Sequence, residues 1–172
     1  ENLITYTPNQ AVTPIVTYGD VLTDRSSVAD MANALEGEGY RVVAGINGDF
    51  YNVSTGLPIG LVITDGVLRS SDAGYYAIGF RADGTAVLGK PGVKVSADLG
   101  YAVDDGSGSP VELIRPVIAV NKARTNSGVF LYTYDFNAKH TTGTTEAGVN
   151  VVCTVEQGQL AIGSTVTARV ER

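Results

Sequence analysis

Apolar and polar positions alternate over short distances along much of this chain, which is the pattern of β-strands joined by tight turns. The clearest unit is residues 42–66, where Val42–Ala44 predicts a buried strand and Gly60–Ile63 predicts a second one. Between them, Asn47–Asn52 alternates polar and aromatic side chains. Because loop residues with polar heads and apolar bodies often carry function, the pattern predicts a candidate site held between two strands.

One segment has helical periodicity. Apolar residues recur at spacings of three and four between Val28 and Leu35, so we predict one main helix near residues 24–36. Thr23 or Ser26 is predicted to cap its N-terminus. The apolar stripe is short and a predicted strand follows at once, which favours a helix that packs as a support over one that binds a partner.

Turn signals organise the remainder of the chain. Asp65-Gly66 and Asp83-Gly84 are dipeptides typical of β-hairpins, and the second lies between Tyr75–Phe80 and Thr85–Leu88. Further strands are predicted at residues 111–120, 129–134, 149–156, 159–162 and 166–170. The polar tip at 104–110 contains paired aspartates, but it lacks the spacing of an EF-hand loop, so a solvated hairpin tip is favoured over a calcium site.

These elements predict an α+β fold with a β-rich mixed sheet. We expect residues 1–90 to form a motif-bearing α+β part. Residues 91–172 are expected to form an appended all-β part, either a curled sheet or a small barrel. With 172 residues the chain is about the size of one domain, so the two parts are predicted to form one compact unit.

Composition narrows the function classes. The net charge of -6 and the absence of clustered Lys and Arg disfavour nucleic-acid partners. No apolar run is long enough to span a membrane. The single cysteine, Cys153, excludes an internal disulfide, and alternation predicts that it is a buried residue of a strand. No P-loop, dinucleotide fingerprint or histidine pair is present, so no cofactor and no metal site are predicted, although carboxylates and Asn are able to bind a hard cation.

The motif resembles a known family. AGINGDFYN, followed by GLPIGLVITDG, is similar to the bacterial phosphodiester glycosidases, relatives of the lysosomal uncovering enzyme N-acetylglucosamine-1-phosphodiester alpha-N-acetylglucosaminidase. That family has an Asn-Gly-x-Phe-Phe run and then a Gly-x-x-Ile/Val-x-x-Gly run. The segment VIAVNKARTNSGVFLYT resembles its next core segment, with Asn121 and Tyr132 at matching positions. The Arg-Thr-Ala, Asp-Gly-Arg and Asp-Gly-Gly-Gly-Ser runs of the family's second half are absent, so the chain is expected to be an N-terminal half and a fragment of a longer domain.

The resemblance implies a hydrolase that acts on a glycan or sugar-phosphate substrate, with a secreted or cell-surface location. Asn47 is expected to contact a phosphate or sugar oxygen, and Asp49 is the best carboxylate for acid–base work. Asp49 has an equally weighted alternative as an acceptor for turn amides, since other members carry Gly, Thr or Ser there. The remaining residues predicted to bind substrate are Gly48, Phe50, Tyr51, Asn52, Gly60, Asn121 and Arg124.

Two functions remain open at this point. The first is hydrolysis of a sugar phosphodiester, with a missing C-terminal half of the same protein as a partner that completes the site. The second is a non-catalytic carbohydrate-binding or cell-surface adhesion module, which the missing second half favours and the lack of Trp disfavours.

Overall fold

A computed structural model of the chain describes residues 3–102 and 110–172. The described part is mixed α+β and rich in strands, as predicted. Helix α1 spans Val28–Gly37 and a 3₁₀ helix spans Tyr134–Phe136. The strands are β1 (Val62–Thr64), β2 (Val67–Ser70), β3 (Ala77–Phe80), β4 (Ala86–Gly89), β5 (Val95–Asp98), β6 (Tyr101–Ala102), β7 (Pro110–Val111), β8 (Ile114–Val120), β9 (Val129–Leu131), β10 (Cys153–Gln157) and β11 (Thr167–Val170).

Helix α1 begins with a capping box. The Ser27 hydroxyl accepts from the Asp30 N–H at 3.1 Å, and the Asp30 carboxylate accepts from the Ser27 N–H at 3.3 Å. These two bonds satisfy amides that the first helical turn leaves free. The helix therefore begins inside the predicted segment and ends one residue beyond it, at Gly37, and its cap is Ser27 and not Thr23 or Ser26.

The two predicted hairpin turns are confirmed. β1 and β2 pair antiparallel around Asp65-Gly66, whose φ angles of 51° and 76° are those of a type I′ turn. β3 and β4 pair antiparallel around Asp83-Gly84, where the Asp83 carboxylate accepts from the Thr85 N–H at 2.9 Å. Both turns place an aspartate directly before a glycine with positive φ.

The core lies where β2 meets a three-stranded sheet. β8 pairs antiparallel with β5 and parallel with β9. Ser71, just beyond β2, ties the two together: its N–H donates to the Val120 carbonyl at 3.1 Å, and its hydroxyl accepts from the Val120 N–H at 3.0 Å. Among the described residues, the buried apolar side chains are Leu22, Leu68, Val120 and Phe136. Residues 58–72 and 117–136 are thereby fixed relative to each other.

The predicted buried strand at Val42–Ala44 is wrong. Residues 40–50 have no regular secondary structure, and Val43 and Ile46 are 67% and 75% exposed. Helix α1 likewise buries none of its residues. A Cβ placed on Gly45 would lie 2.8 Å from Val28 Cγ1, so this segment passes against α1. An apolar run becomes a buried strand only where a neighbouring strand takes its backbone hydrogen bonds, and no described strand does so here.

The predicted all-β part is only partly confirmed. β10 and β11 form an antiparallel hairpin whose residues are all exposed, so Cys153 is exposed and the prediction of a buried cysteine is wrong. The predicted strand at 159–162 reduces to one bridge between Ala161 and Val67. Among the described residues every sheet has two or three strands and stays open, so the small barrel is not formed.

Three further predictions concern the domain division, the polar tip and membrane-spanning segments. The division into residues 1–90 and 91–172 stays a prediction. The predicted tip at 104–110 lies outside the described residues apart from Pro110. Within residues 3–102 and 110–172, the helices lack the length and apolar character that a bilayer span requires.

Candidate functional site

The segment after Asp49 folds as a narrow loop. Its sides are joined by two backbone hydrogen bonds, from Ile59 N–H to the Phe50 carbonyl at 3.0 Å and from Asn52 N–H to the Leu57 carbonyl at 2.9 Å. We call residues 49–60 the motif loop. The second apolar run, which begins after this loop, forms β1 as predicted.

Asn52 shapes the tip of the motif loop. Its side-chain oxygen accepts from the N–H groups of Ser54 and Thr55 at 3.0 and 3.1 Å, which is an Asx turn. Gly56 follows with a φ of 76° and packs against the Thr23 carbonyl, where a Cβ would lie at 1.9 Å. The amide oxygen of Asn52 is thus committed to the loop, and a substrate contact by Asn52 stays a prediction.

Asp49 makes the backbone contacts that were predicted as its alternative role, and its acid–base role stays a prediction. One carboxylate oxygen accepts from the Phe50 N–H at 2.7 Å and the other accepts from the Gly60 N–H at 2.6 Å. The side chain therefore closes the base of the motif loop. Gly60 is buried against it, and a Cβ at Gly60 would lie 2.6 Å from the carboxylate, so a larger residue here would displace the Asp49 side chain.

The other predicted site residues of the motif face solvent. Asn47 and Gly48 are exposed, Phe50 is 83% exposed and Tyr51 is half exposed. Burial of the Asn47 amide and the Tyr51 ring would have ruled out ligand contact. Both groups are instead available on the surface beside a braced loop, and their substrate contacts stay predictions.

Lys122 is a residue of this site that the sequence reasoning missed. Its ammonium donates to the carbonyls of Pro58, Ile59 and Gly60 at 2.7, 2.8 and 2.9 Å. Burial lowers the pKa of Lys122 to about 8, against an opposing effect of the nearby Asp49 and Asp72 carboxylates. A signal existed in its position directly after Asn121, inside a segment that had been singled out.

Asn121 lies in the core and not on a surface. It is 1% exposed and has a φ of 52°, in the left-handed region. Its amide nitrogen donates to the Arg69 carbonyl at 2.8 Å and to the Thr133 hydroxyl at 2.7 Å, while its oxygen accepts from the Thr133 N–H at 2.9 Å. These bonds use both amide protons, so the structure gives Asn121 a packing role, and its predicted substrate contact stays a prediction.

Arg124 is tied to a different loop. Its guanidinium donates to the carbonyls of Ala147 and Glu146 at 2.6 and 3.3 Å, and to that of Asn126 at 3.4 Å. No hydrogen bond among the described residues joins Arg124 to the motif loop. The structure therefore brings together Asp49, Gly60 and Lys122, but it does not link Arg124 to them.

A second polar cluster contains Arg69 of β2 and Asp135 of the 3₁₀ helix. The Asp135 carboxylate accepts from the Tyr18 hydroxyl and from the Arg69 guanidinium, each at 2.9 Å, and also from the Thr133 hydroxyl. Arg69 donates from Nε to the Thr64 hydroxyl at 3.0 Å. The cluster joins the N-terminal segment, the β1–β2 hairpin and the 3₁₀ helix.

Tyr18 and Asp135 of this cluster have shifted pKa values. Burial, together with the hydrogen bond to Asp135, raises the pKa of Tyr18 to about 12. Burial alone would raise the pKa of Asp135. Hydrogen bonds from Thr133 and Tyr18 and the Arg69 charge outweigh it and hold that pKa below its ordinary value. Both oxygens of the Asp135 carboxylate, which also forms the ion pair with Arg69, thus have partners inside the protein.

A cleft of about 570 Å³ opens beside this cluster, between the N-terminal segment, α1 and the β1–β2 hairpin. Its carboxylates are Asp20, Asp24, Asp30, Glu38 and Asp65, and Arg69 is its cationic residue. The excess of negative charge repels an anionic ligand. None of the motif residues line this cleft, so it is separate from the predicted site.

The described residues contain no group of three or more His, Cys, Asp or Glu side chains placed to hold a metal ion. What the motif region offers is polar amides, two aromatic rings and a carboxylate–ammonium pair that braces a loop. Such an arrangement suits recognition of a polar ligand that carries an apolar face, such as a sugar.

Comparison with known proteins adds one finding. Residues 40–169 match the phosphodiester glycosidase family, and the match includes the motif loop, Lys122 and Asn121. No curated protein and no solved structure matches the chain. The match covers more than half of the sequence, so the chain belongs to the phosphodiester glycosidase family.

Proposed function

We propose that this chain carries a site for hydrolysis of a sugar phosphodiester, centred on Asn47–Tyr51. The observation that supports it best is the exposure of this run at the base of a loop that Asp49 and Lys122 brace from two sides. Membership of the phosphodiester glycosidase family supports the reaction class.

The proposed roles follow from side-chain chemistry. The Asn47 amide both donates and accepts, so it suits a phosphate oxygen or a sugar hydroxyl. Gly48 lets a ligand approach the backbone closely. The exposed rings of Phe50 and Tyr51 offer apolar faces to the C–H face of a sugar.

The reaction is a transfer of the sugar to water. The oxygen of water bonds to the anomeric carbon while the bond from that carbon to the phosphate oxygen breaks. The electron pair of the broken bond leaves with the phosphate, which departs as a monoester, and the proton lost by water passes to solvent or to that monoester. Free sugar and phosphate monoester are the two products.

Asp49 favours a second candidate function. Both of its oxygens accept backbone N–H groups, so the carboxylate already serves to hold the motif loop. A carboxylate used in this way suits a non-catalytic carbohydrate-binding module built on the same loop. We propose this module as the alternative, to be separated from the enzyme by turnover.

The test of hydrolysis uses a sugar 1-phosphate esterified with p-nitrophenol, in water enriched in ¹⁸O. A glycosidase releases free sugar that carries the label at the anomeric carbon. An ordinary phosphodiesterase instead places the label on phosphate, which mass spectrometry distinguishes. Absence of labelled sugar, both with this chain and with a longer form of the source protein, would refute the catalytic proposal.

Variants of the motif separate the enzyme from the binding module. Asn47→Ala and Tyr51→Ala are compared with Tyr75→Ala, which removes a similarly exposed ring outside the motif. For an enzyme, the first two variants lose turnover and the third keeps it. For a module, the parent chain shows no turnover, and the first two variants lose binding on a glycan array while Tyr75→Ala keeps it.

Two companion proposals accompany the function. We propose that the protein is secreted or lies at the cell surface, in keeping with the family resemblance, and cell fractionation tests this location.

We also propose that a further segment carrying the second-half runs of the family completes the site. Higher turnover by the full source reading frame than by this chain is the expected result.

A further inference from the structure

All three ammonium protons of Lys122 are used in hydrogen bonds to the motif loop. An ammonium group carries three donors, and Lys122 directs them at three consecutive carbonyls, those of Pro58, Ile59 and Gly60, at 2.7–2.9 Å. No donor remains for a phosphate or a sugar. Direct binding of substrate by Lys122 is therefore inconsistent with this geometry.

The backbone of Gly60 is held between two groups of opposite charge. Its N–H donates to the Asp49 carboxylate at 2.6 Å, and its carbonyl accepts from the Lys122 ammonium at 2.9 Å. Both groups are charge-assisted partners, which form stronger hydrogen bonds than neutral ones. Asp49 belongs to the base of the loop and Lys122 to the chain just after β8, so the pair fixes the loop to the core sheet.

The cation also removes a repulsion. Three carbonyl oxygens that converge on one point present like partial charges to each other, and only a positive group at that point makes the arrangement favourable. A neutral side chain of the same length fills the space but leaves the three carbonyls unpaired. The charge of Lys122 therefore determines whether residues 58–60 hold the conformation in which their carbonyls converge.

We propose that Lys122 is a positioning residue for the site: its ammonium holds the motif loop against β8 and thereby orients Asn47–Tyr51 toward the substrate. This inference rests on the proposed function for its catalytic consequence, but the positioning itself is independent of it. The lowered pKa of Lys122 is consistent with a cation partly removed from water.

The first test measures order in the loop without any substrate. Lys122→Met keeps the length of the side chain and removes its charge, and Lys94→Met makes the same change at an exposed lysine. We expect hydrogen exchange of the Ile59 and Gly60 amides to accelerate by roughly tenfold or more in Lys122→Met. Amides of β8 and β9 should keep their protection, and Lys94→Met should resemble the parent.

The second test asks for chemical rescue. In a Cys153→Ser background, Lys122→Cys is alkylated with 2-bromoethylamine, whose bromide the thiolate displaces to form a C–S bond. This product restores an ammonium at nearly the original length. Slow exchange at Gly60 is expected to return, and with it turnover of the nitrophenyl sugar phosphodiester.

Kinetics separate positioning from general packing. A positioning role predicts that Lys122→Met lowers kcat by about tenfold or more while KM changes by no more than about twofold. Unchanged exchange at Gly60, equal loss of protection across β8, or failure of the alkylated variant to recover would each overturn the proposal. If neither the parent chain nor the longer form of the source protein shows turnover, the proposed function fails, while the exchange results still decide the role of Lys122.

Discussion

Asn121 offers a quantitative test of how the core supports the site. Its side chain is 1% exposed and makes three hydrogen bonds, two to Thr133 and one to the Arg69 carbonyl. Asn121→Ala removes all three. It also places alanine at a φ of 52°, a conformation that asparagine tolerates better than alanine does.

The expected cost follows from these contacts. The Arg69 carbonyl and the Thr133 N–H each lose a partner inside the protein, at about 1–3 kcal/mol apiece. Left-handed backbone at alanine adds about 1–2 kcal/mol. Because Thr133 is only half-buried and gains some access to water, we take the lower part of each range and expect a loss of roughly 3–4 kcal/mol in the free energy of unfolding.

Urea denaturation followed by circular dichroism measures this loss. Asn126→Ala, an exposed asparagine in the same connection, serves as the matched control and should lie within about 0.5 kcal/mol of the parent. Asn121→Gly keeps the backbone conformation, so it should lose only the side-chain part and stay measurable even if Asn121→Ala does not fold. If the free energies of unfolding of Asn121→Ala and Asn126→Ala differ by less than about 1 kcal/mol, the buried hydrogen bonds of Asn121 do not have the energetic role assigned to them.

Three further predictions concern single positions. Gly56→Ala should destabilise the protein by about 1–3 kcal/mol more than Gly66→Ala in thermal unfolding, because both have a φ of 76° but only Gly56 faces the Thr23 carbonyl; equal effects would show that the contact is unimportant. The pKa of Tyr18 is raised from 10.0 to about 12. The contribution of the protonated Tyr18 hydroxyl to the stability of the fold is therefore complete below pH 10 and is lost as the pH rises through 12. The tyrosinate absorbance that Tyr18→Phe removes should therefore develop near pH 12, and development near pH 10 would contradict this. Cys153, which is exposed, should react with Ellman's reagent in the folded protein as fast as in urea, whereas slow reaction would indicate burial.

The turns of this fold could be predicted from sequence because their physics is local. Asp65-Gly66 and Asp83-Gly84 both take positive φ at glycine, and the Asp83 carboxylate accepts from the nearby Thr85 N–H, so the geometry of each turn belongs to the dipeptide itself. The helix was predictable for the same reason, although its cap shifted to Ser27. The loop role of Asp49 was also foreseen, as one of two alternatives.

The errors concern non-local contacts. Val42–Ala44 has the composition of a buried strand, but burial depends on which segments pair with it, and spacing along the chain does not contain that information. Lys122 was missed because a lysine in a polar stretch resembles any solvated lysine until its three carbonyl partners, more than sixty positions earlier in the chain, are known. The substrate contact of Asn121 stays a prediction, but its left-handed backbone and burial were not foreseen, because they emerge only from the packing of β8 and β9.

Asn121 and Lys122 are adjacent, and one serves the interior while the other restrains the motif loop. Substitutions that destabilise the fold and substitutions that impair recognition therefore fall at neighbouring positions of the sequence. In a saturation screen scored by activity alone, substitutions that merely loosen the sheet at this corner will register as defects of the ligand-binding surface. Pairing each activity score with an abundance score separates the two kinds of defect.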